Sequence, residues 1–427
     1  MKSHTQAEIV SNEDVQEGQK LVSICVPSRN RQKYFQQTIL DLIENPRDDV
    51  EFIFADNSTD PDIMNDFMRD KVSDPRVKYL PSREKVLAMN DNWERCIEAS
   101  TGTWVVFIGD DDFIDLSVAD LITLITKNRG PFDVVAWDRV NYDWPQKRDG
   151  VKNIRVSLLD KVGEVDRDHL VTSNFLWSNA IVVPFAPFCF YHGAVRRSLL
   201  RKIKKKFGGR YCEHYTVDFE NACKTVLVGR RFFYSQRPFS VLGSCPESNS
   251  ASIGTVEQVQ SRIADAIRDI GRDFDSDPHM ADFPFPSALG VTAAVGQVQH
   301  WFKTKYKLKF DGWEKNFARA CSDCCRMSRS EEVYEIYYAG YREAFSTWKG
   351  GAFLKYFDPE MPDYTPGEKK IFTGLRDYEI FISDDLRNFD TPRGMYDLIN
   401  QFLSPIDQLS LVAPVERLAM VFTDKRV

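Results

Sequence analysis

The residues best suited to chemistry stand together in Trp104-Val105-Val106-Phe107-Ile108-Gly109-Asp110-Asp111-Asp112-Phe113-Ile114. The apolar run, β-branched or aromatic throughout, predicts a buried strand over Trp104–Ile108. It stops at Gly109 and delivers Asp110, Asp111 and Asp112 in succession. Like charges packed this closely repel unless a cation neutralises them. A hard divalent ion that prefers oxygen ligands, Mg²⁺ or Mn²⁺, suits all three carboxylates and is readily shared with substrate phosphates. The competing reading is a solvated acidic turn capping the next helix, since helix N-termini favour Asp.

The elements that precede the carboxylates decide between these readings. Leu21–Val26 predicts a short buried strand that ends at Pro27-Ser28-Arg29-Asn30-Arg31. Between Tyr34 and Ile43, apolar Phe35, Ile39, Leu42 and Ile43 recur at helical spacing. Val50–Ala55 is a second strand, ending at Asp56-Asn57-Ser58-Thr59-Asp60. A helix with Ile63, Met64, Phe67 and Met68 on one face follows, then a strand over Val77–Leu80 and a helix over Ala88–Ala99. Beyond the Trp104 strand come a helix from Ser117 to about Lys127 and a strand over Phe132–Trp137. This alternation predicts an α/β fold: a mainly parallel sheet with helices on both faces. Ligands of such sheets collect at the carboxyl ends of the strands. Three ends here carry polar clusters, Pro27–Arg31, Asp56–Asp60 and Asp110–Asp112. No GxGxxG follows the first strand and no GxxxxGK[ST] occurs, which excludes a dinucleotide turn and a P-loop.

Composition bounds the rest. A chain of 427 residues exceeds one ordinary core. A net charge of −7 argues against a general grip on nucleic acid. Nine cysteines without a leader-like segment predict free thiols and a cytoplasmic protein. Cys321 and Cys324 have CxxC spacing, but no second pair accompanies them to complete a zinc site. The longest apolar run, Ala180–Tyr191, is broken by Pro184 and Pro187, so no membrane span is expected.

Residues 21–140 resemble the catalytic domain of family 2 inverting glycosyltransferases, the GT-A fold. Ile24–Arg31 resembles that family's VxxPTYNR strand and turn, and Phe54–Asp60 its vDDgStD element. Asn92-Trp93 through Ala99, with Thr101-Gly102, resembles the helix before the metal strand, and Ile108–Asp112 the DxD region. Two positions depart from the pattern: Asn57 replaces the second Asp of the DD pair, and Gly109-Asp110-Asp111-Asp112 replaces Asp-x-Asp-Asp. The principal metal ligand is therefore Asp111 or Asp112. The resemblance implies a nucleotide held by Pro27, Ser28, Arg29, Asn30, Asp56, Asn57, Ser58 and Asn92, with Asp110 and Asp111 at its phosphates. It implies Mn²⁺ or Mg²⁺ on Asp110, Asp111 and Asp112. Asp56 at a strand end suits the imide N–H of uracil, which favours a UDP-sugar.

Farther on, Trp144, Phe175, Trp177, Phe185, Phe188 and Phe190 are read as core in preference to a sugar-binding groove. Phe190–Leu200 resembles the family's acceptor-side strand and helix. The run Arg196–Lys206 holds seven basic residues, with Leu199, Leu200, Ile203 and Phe207 on one face. A helix packed on the domain is preferred to one resting on anionic lipid at the inner face of a membrane, though the composition allows both. Tyr215–Lys224 resembles the family's ED element, which implies Asp218 as the catalytic base and Glu220 as its understudy. The family's loop His is Cys245 here, and Arg237–Phe239 with Ser248-Asn249-Ser250 resembles the close of the domain. Residues 1–19 are expected to form a flexible tail, 20–254 a catalytic domain with nucleotide-sugar (20–140) and acceptor (141–254) halves. Residues 255–427 are expected to be a mainly helical C-terminal domain, with helices over Val256–Ile270, Ala288–Phe302, Trp313–Met327 and Val333–Trp348, and to offer an oligomer contact.

The expected function is an inverting, metal-dependent hexosyltransferase acting from a nucleotide sugar on a saccharide or lipid-linked saccharide. A phosphotransferase with an aspartyl nucleophile is the weaker alternative, because Leu21–Arg31 contains no Asp. A non-catalytic sugar-nucleotide or glycan-binding module is the other, and retention of Asp56, Asp110–Asp112 and Asp218 argues against it.

Overall fold

The computed structural model describes residues 19–148, 150–177, 182–248, 277–328, 330–364, 371–384 and 390–412. Most of the expected tail, the Val256–Ile270 helix, and Asn249-Ser250 lie outside the described residues. The first half runs β1 (Val22–Ser28), α1 (Gln32–Ile43), β2 (Val50–Asp56), α2 (Asp62–Lys71), β3 (Val77–Leu80), α3 (Met89–Ala99), β4 (Trp104–Phe107), β5 (Phe113–Ile114), α4 (Val118–Arg129) and β6 (Val134–Asp143). Then come β7 (Asn153–Ser157), β8 (Lys161–Val165), α5 (Arg167–Leu176), β9 (Gly193–Arg196), α6 (Arg197–Lys206), α7 (Val217–Val228) and β10 (Phe232–Ser244). The remainder holds α8 (Val291–Lys305), α9 (Trp313–Arg326), α10 (Glu331–Thr347), β11 (Gly374–Arg376), β12 (Glu379–Ser383), α11 (Pro392–Ile399) and β13 (Ser410–Leu411).

Among the described residues ten strands form one sheet in the order β13-β8-β10-β6-β9-β4-β1-β2-β3, with β5 paired to β10. Every residue of β1 and β2 is buried, as expected for central strands covered on both faces. β4, β1, β2 and β3 are mutually parallel, in register from Val22 opposite Val50 and Trp104. Their carboxyl ends therefore share one edge of the sheet, which is what brings the three polar clusters together. β9 enters antiparallel between β4 and β6. That insertion carries the Phe190–His192 segment to the same edge, where the Phe107 N–H donates to the Phe190 carbonyl (2.6 Å) and the His192 N–H to Phe107 (2.9 Å).

The expected α/β sheet with helices on both faces is present. The C-terminal part is not purely helical, however. β11 and β12 join β7 in a three-stranded antiparallel sheet, and β13 extends the main sheet beside β8. Short strands with two exposed positions in three, such as β11, carry too little apolar alternation to be read from sequence. The aromatic stretch is largely core: Trp144, Phe175, Trp177, Phe188 and Phe190 are buried, and Phe185 alone of the six is exposed. The basic helix α6 packs Leu199, Leu200 and Ile203 into the interior, so its apolar face is not available to lipid. Among the described residues no helix is long and apolar enough to cross a membrane. All nine cysteines are free and buried.

One apolar cluster runs from Cys25, Ile53 and Phe107 in the sheet through α7 to Trp301, Phe317, Tyr341 and Phe345 in the C-terminal helices. A polar clasp crosses the same boundary. Gln299 on α8 accepts from the indole N–H groups of Trp177 and Trp313 and donates to the Asn174 carbonyl (2.8 Å). With a shared core, sheet and C-terminal helices should unfold together. Denaturant unfolding followed by tryptophan fluorescence and far-UV circular dichroism should give one coincident transition; two separated transitions would show independent units.

Candidate active site

β1 lies between β2 and β4, and Ser28 at its end ties both neighbours. Its carbonyl accepts from the Asn57 N–H (2.9 Å) and its hydroxyl donates to Asp110 Oδ2 (2.6 Å). Asn30 follows at φ 56°, a left-handed conformation that Asn tolerates better than most residues. From there its N–H donates to Ser58 Oγ (3.0 Å), and its Oδ1 accepts from the Thr59 N–H (2.9 Å) and hydroxyl (3.0 Å). Pro27 is buried in the strand and Arg29 is half-buried in the turn.

Asp56 ends β2 fully buried. Its Oδ1 accepts from the Ser58 N–H (3.1 Å) and hydroxyl (2.6 Å), and its Oδ2 from Ser82 Oγ (2.8 Å). Asn57 pairs with the Leu87 backbone in both directions, donating from Nδ2 and accepting at Oδ1, each at 2.8 Å. An aspartate there could accept but not donate, which gives the Asn at this position a physical reason. Asn92 donates to the Ala55 carbonyl (3.3 Å) and accepts from Arg95 Nε (2.7 Å). Arg95 in turn donates to the carbonyls of Asp56, Leu80 (3.2 Å) and Pro81 (2.9 Å). Asn57 and Asn92 thus fix the ends of β2 and β3.

The three carboxylates are divided among different partners. Gly109 permits their turn: a Cβ there would stand 2.8 Å from Asp112 Oδ2 and 3.1 Å from Asp111 Oδ1. Asp112 points inward and accepts from the Gly109 N–H (2.6 Å), the Gly243 N–H (2.7 Å), the Tyr191 hydroxyl (3.0 Å) and His192 Nε2 (2.8 Å). Burial alone would raise its pKa, but His192 and the two backbone N–H groups hold the carboxyl below its ordinary value. Asp110 is pushed up to about 7 by burial and by Asp111 and Asp112, against the pull of Arg31 and Ser28. Arg31 bridges Asp110 (2.7 Å) and Asp111 (3.3 Å). Asp111 Oδ2 also accepts from the Cys245 N–H (3.1 Å) and the Ser248 hydroxyl.

The three carboxylates, expected together to ligate an ion, are turned to different surroundings. Among the described residues no group of three or more His, Cys, Asp or Glu is disposed to hold a metal. Asp112 has its oxygens engaged by the surrounding protein, and Asp110 is wholly buried beneath Ser28 and Arg31. Of the three side chains only that of Asp111 retains any exposure, 6% against none for the others. Mg²⁺ commonly takes one or two carboxylates together with substrate phosphates. The residues present therefore fit an ion held by Asp111 and a bound diphosphate, with Arg31 as the cation already facing the cluster.

Asp218 and Glu220 have opposite surroundings. Asp218 is the second residue of α7, half-buried beside Cys189, two residues ahead of Tyr191. Burial raises its pKa; the N–H groups of Phe219 and Asp218 and the charge of Arg139 offset this only in part. Arg139, exposed on β6, acts electrostatically on both Asp218 and Tyr191. Glu220 is fully buried, pairs with Lys224 (2.6 Å) and accepts from the N–H groups of Glu213 and His214, each at 2.8 Å. It cannot reach an acceptor and is no understudy for Asp218.

Several site residues carried no assigned role in the sequence. Arg31 stands in the strand-1 turn, Ser82 follows β3, and Tyr191, His192 and Ser248 come from beyond the sheet's first half. Cys245, where a His was expected, contributes its backbone N–H to Asp111 and places Sγ 3.9 Å from Arg31 Nη1.

Residues 23–193 match the family model described as Glycosyl transferase family 2. Residues 23–193 are a family 2 glycosyltransferase domain. A curated relative from Campylobacter jejuni subsp. jejuni serotype O:2, a GalNAc(5)-diNAcBac-PP-undecaprenol beta-1,3-glucosyltransferase, is 27% identical over 106 residues. That match covers 25% of this chain, and this chain spans about a third (34%) of the relative's length. The solved structure of S. aureus TarS 1–349 aligns at TM-score 0.40 and 14% identity over 79% of this chain and 89% of that one. Its complex with UDP-GlcNAc aligns at 0.42 and 14% with the same coverage.

The division of roles among the carboxylates is testable. Asp112→Ala strands buried donors at a cost of about 1–3 kcal/mol each, so thermal unfolding should show a large loss of stability. Asp111→Asn should unfold within a few degrees of the wild type and yet lose donor turnover. Equal stability of the two variants would contradict the division.

Proposed function

We propose that the chain is an inverting glycosyltransferase that moves a sugar from a UDP-sugar to a hydroxyl of a saccharide or lipid-linked saccharide. The observation that carries this reading is the pair of unlike carboxylate environments, Asp111 at the end of the β4 strand beside Arg31 and Asp218 in the first turn of α7 beside Cys189. Asp111, beside Arg31, suits a departing diphosphate, and Asp218, without an ion-pair partner among the described residues and raised by burial, suits proton removal. Pro27, Ser28, Arg29 and Asn30 line one side of the nucleoside, and Asp56 and Ser58 the other. Asp56 Oδ1 already accepts twice from Ser58, whereas Oδ2 accepts from Ser82 and has a second acceptor position, enough for the imide N–H of uracil.

A divalent ion, Mn²⁺ or Mg²⁺, bound by Asp111 and the diphosphate would act as a Lewis acid that neutralises the leaving group. Arg31 contributes positive charge to the same oxygens. In a single displacement the acceptor hydroxyl approaches the anomeric carbon opposite the diphosphate, and configuration inverts. Asp218 accepts the hydroxyl proton as the new bond forms. The lipid-linked option follows the name of the Campylobacter relative, which acts on a polyprenyl-diphosphate glycan. Exposed Arg201, Lys202, Lys205 and Lys206 on α6 would draw the protein electrostatically to an anionic membrane surface, without insertion.

A panel of nucleotide sugars assayed with saccharide acceptors, with product anomers read by NMR, tests the function. UDP-linked donors should react and the product should be inverted; a retained configuration would overturn the mechanism. Asp218→Asn should still bind UDP but transfer at least about a hundredfold more slowly, as loss of a general base typically costs about 10²–10⁴. Because the base works ionised, kcat/KM should rise with pH through a midpoint above the ordinary Asp value of about 3.9 and then level off. That limb should vanish in Asp218→Asn, and a limb unchanged by the substitution would remove Asp218 from the role.

A further inference from the structure

α7 is fixed from two sides, and one side belongs to the C-terminal helices. The loop that delivers Asp218, residues 210–216, sets Cys212 in the core with Tyr211 and Tyr215 packed against it. A cluster of alternating charges then fixes its geometry. Glu220 Oε2 accepts from the N–H groups of Glu213 and His214, each at 2.8 Å, and its Oε1 meets Lys224 at 2.6 Å. Lys224 reaches back to the Tyr211 carbonyl (3.2 Å) and to Glu213 (3.3 Å). Glu213 then takes Lys305 from the end of α8 (2.5 Å) and the Tyr306 hydroxyl just beyond it. Tyr215, three residues before Asp218, donates to Gln297 of α8 (2.9 Å).

On its other side, α7 offers Asn221, whose Oδ1 accepts from the Phe190 N–H (3.1 Å). Phe190 directly precedes Tyr191 and His192, the partners of Asp112. One continuous set of contacts thus runs from α8 through the 210–216 loop and α7 to the carboxylate cluster. Glu220 and Lys224 are fully buried, so the set is not a solvated surface pair. Buried ion pairs add little net stability compared with apolar side chains of the same volume. What such a cluster does supply is one defined geometry, here two residues from the proposed base.

We propose that Lys305 and Tyr306 are positioning residues: acting through Glu213, they hold the loop and α7 so that the Asp218 carboxylate meets the acceptor hydroxyl. The C-terminal helices are then part of the catalytic apparatus, although they supply no catalytic residue. This rests on the reading of Asp218 as the base. Misplacement of a reacting group by about 1 Å can cost on the order of a hundredfold, which sets the scale of the effect.

Tyr306→Phe removes one hydroxyl and little else, and Lys305→Ala removes the cation, with Lys305→Arg as its conservative counterpart. All are measured in the full chain by single-turnover transfer and by calorimetric binding of UDP. Tyr306→Phe and Lys305→Ala should slow transfer between about tenfold and a hundredfold, with UDP affinity unchanged and Lys305→Arg recovering most of the rate. In an Asp218→Asn background, Tyr306→Phe should slow transfer no further, because its route runs through Asp218. Transfer by both variants within twofold of wild type, parallel losses of rate and UDP affinity, or a full additional loss in the Asp218→Asn background would each overturn the proposal. The base reading fails separately, if Asp218→Asn alone transfers normally.

Discussion

Three adjacent aspartates buried at the end of a central strand are the constraint around which this protein is built. A buried carboxylate is tolerated only when donors or a cation surround it. The fold answers with a different solution for each. Asp112 is enclosed by His192, Tyr191, Gly109 and Gly243; Asp110 takes Ser28 and Arg31; Asp111 shares Arg31 and leans toward Ser248 and the Cys245 N–H. Asp111 alone of the three side chains keeps any exposure, while Asp110 and Asp112 hold the turn.

The partners determine where distant elements must lie. β10 crosses so close to the turn that a Cβ on Gly243 would fall 1.7 Å from the Asp111 carbonyl oxygen, which makes glycine obligatory there. Antiparallel β9 brings Tyr191 and His192 to the parallel edge, and His192 Nδ1 is held in turn by Ser240 of β10 (2.8 Å). α7 closes the circle by holding Phe190 with Asn221, three residues after Asp218. The carboxylate turn and the start of α7 therefore share a scaffold of neighbours.

Much of this was legible in the chain itself. Strand–helix alternation over residues 21–140 located β1 to β4, and the Pro27–Arg31, Asp56–Asp60 and Asp110–Asp112 clusters located their carboxyl ends, because period and turn chemistry are local signals. The Asn57 departure became intelligible only with Leu87 opposite it, thirty residues away. The same holds for Asp112: its partners lie about eighty residues on, and nothing in Gly109–Asp112 says which carboxylate turns inward. Four-residue β9 carried no signal of direction. Glu220 is the instructive miss, since its spacing to Lys224 is that of a helical ion pair and spelled out its structural role. β12 and β13 escaped notice because β7 and β8, on which they pair, lie more than two hundred residues earlier.

The most direct test of this account is a structure of the protein with UDP and Mn²⁺, with the metal located by anomalous scattering. The account predicts uracil between the Pro27–Asn30 turn and Asp56, and the diphosphate beside Asp111 and Arg31. It predicts a single Mn²⁺ peak within coordination distance of Asp111, with Asp112 still bonded to His192 and Tyr191. A nucleotide bound away from the β1, β2 and β4 ends, or Mn²⁺ on Asp112 with His192 displaced, would contradict it.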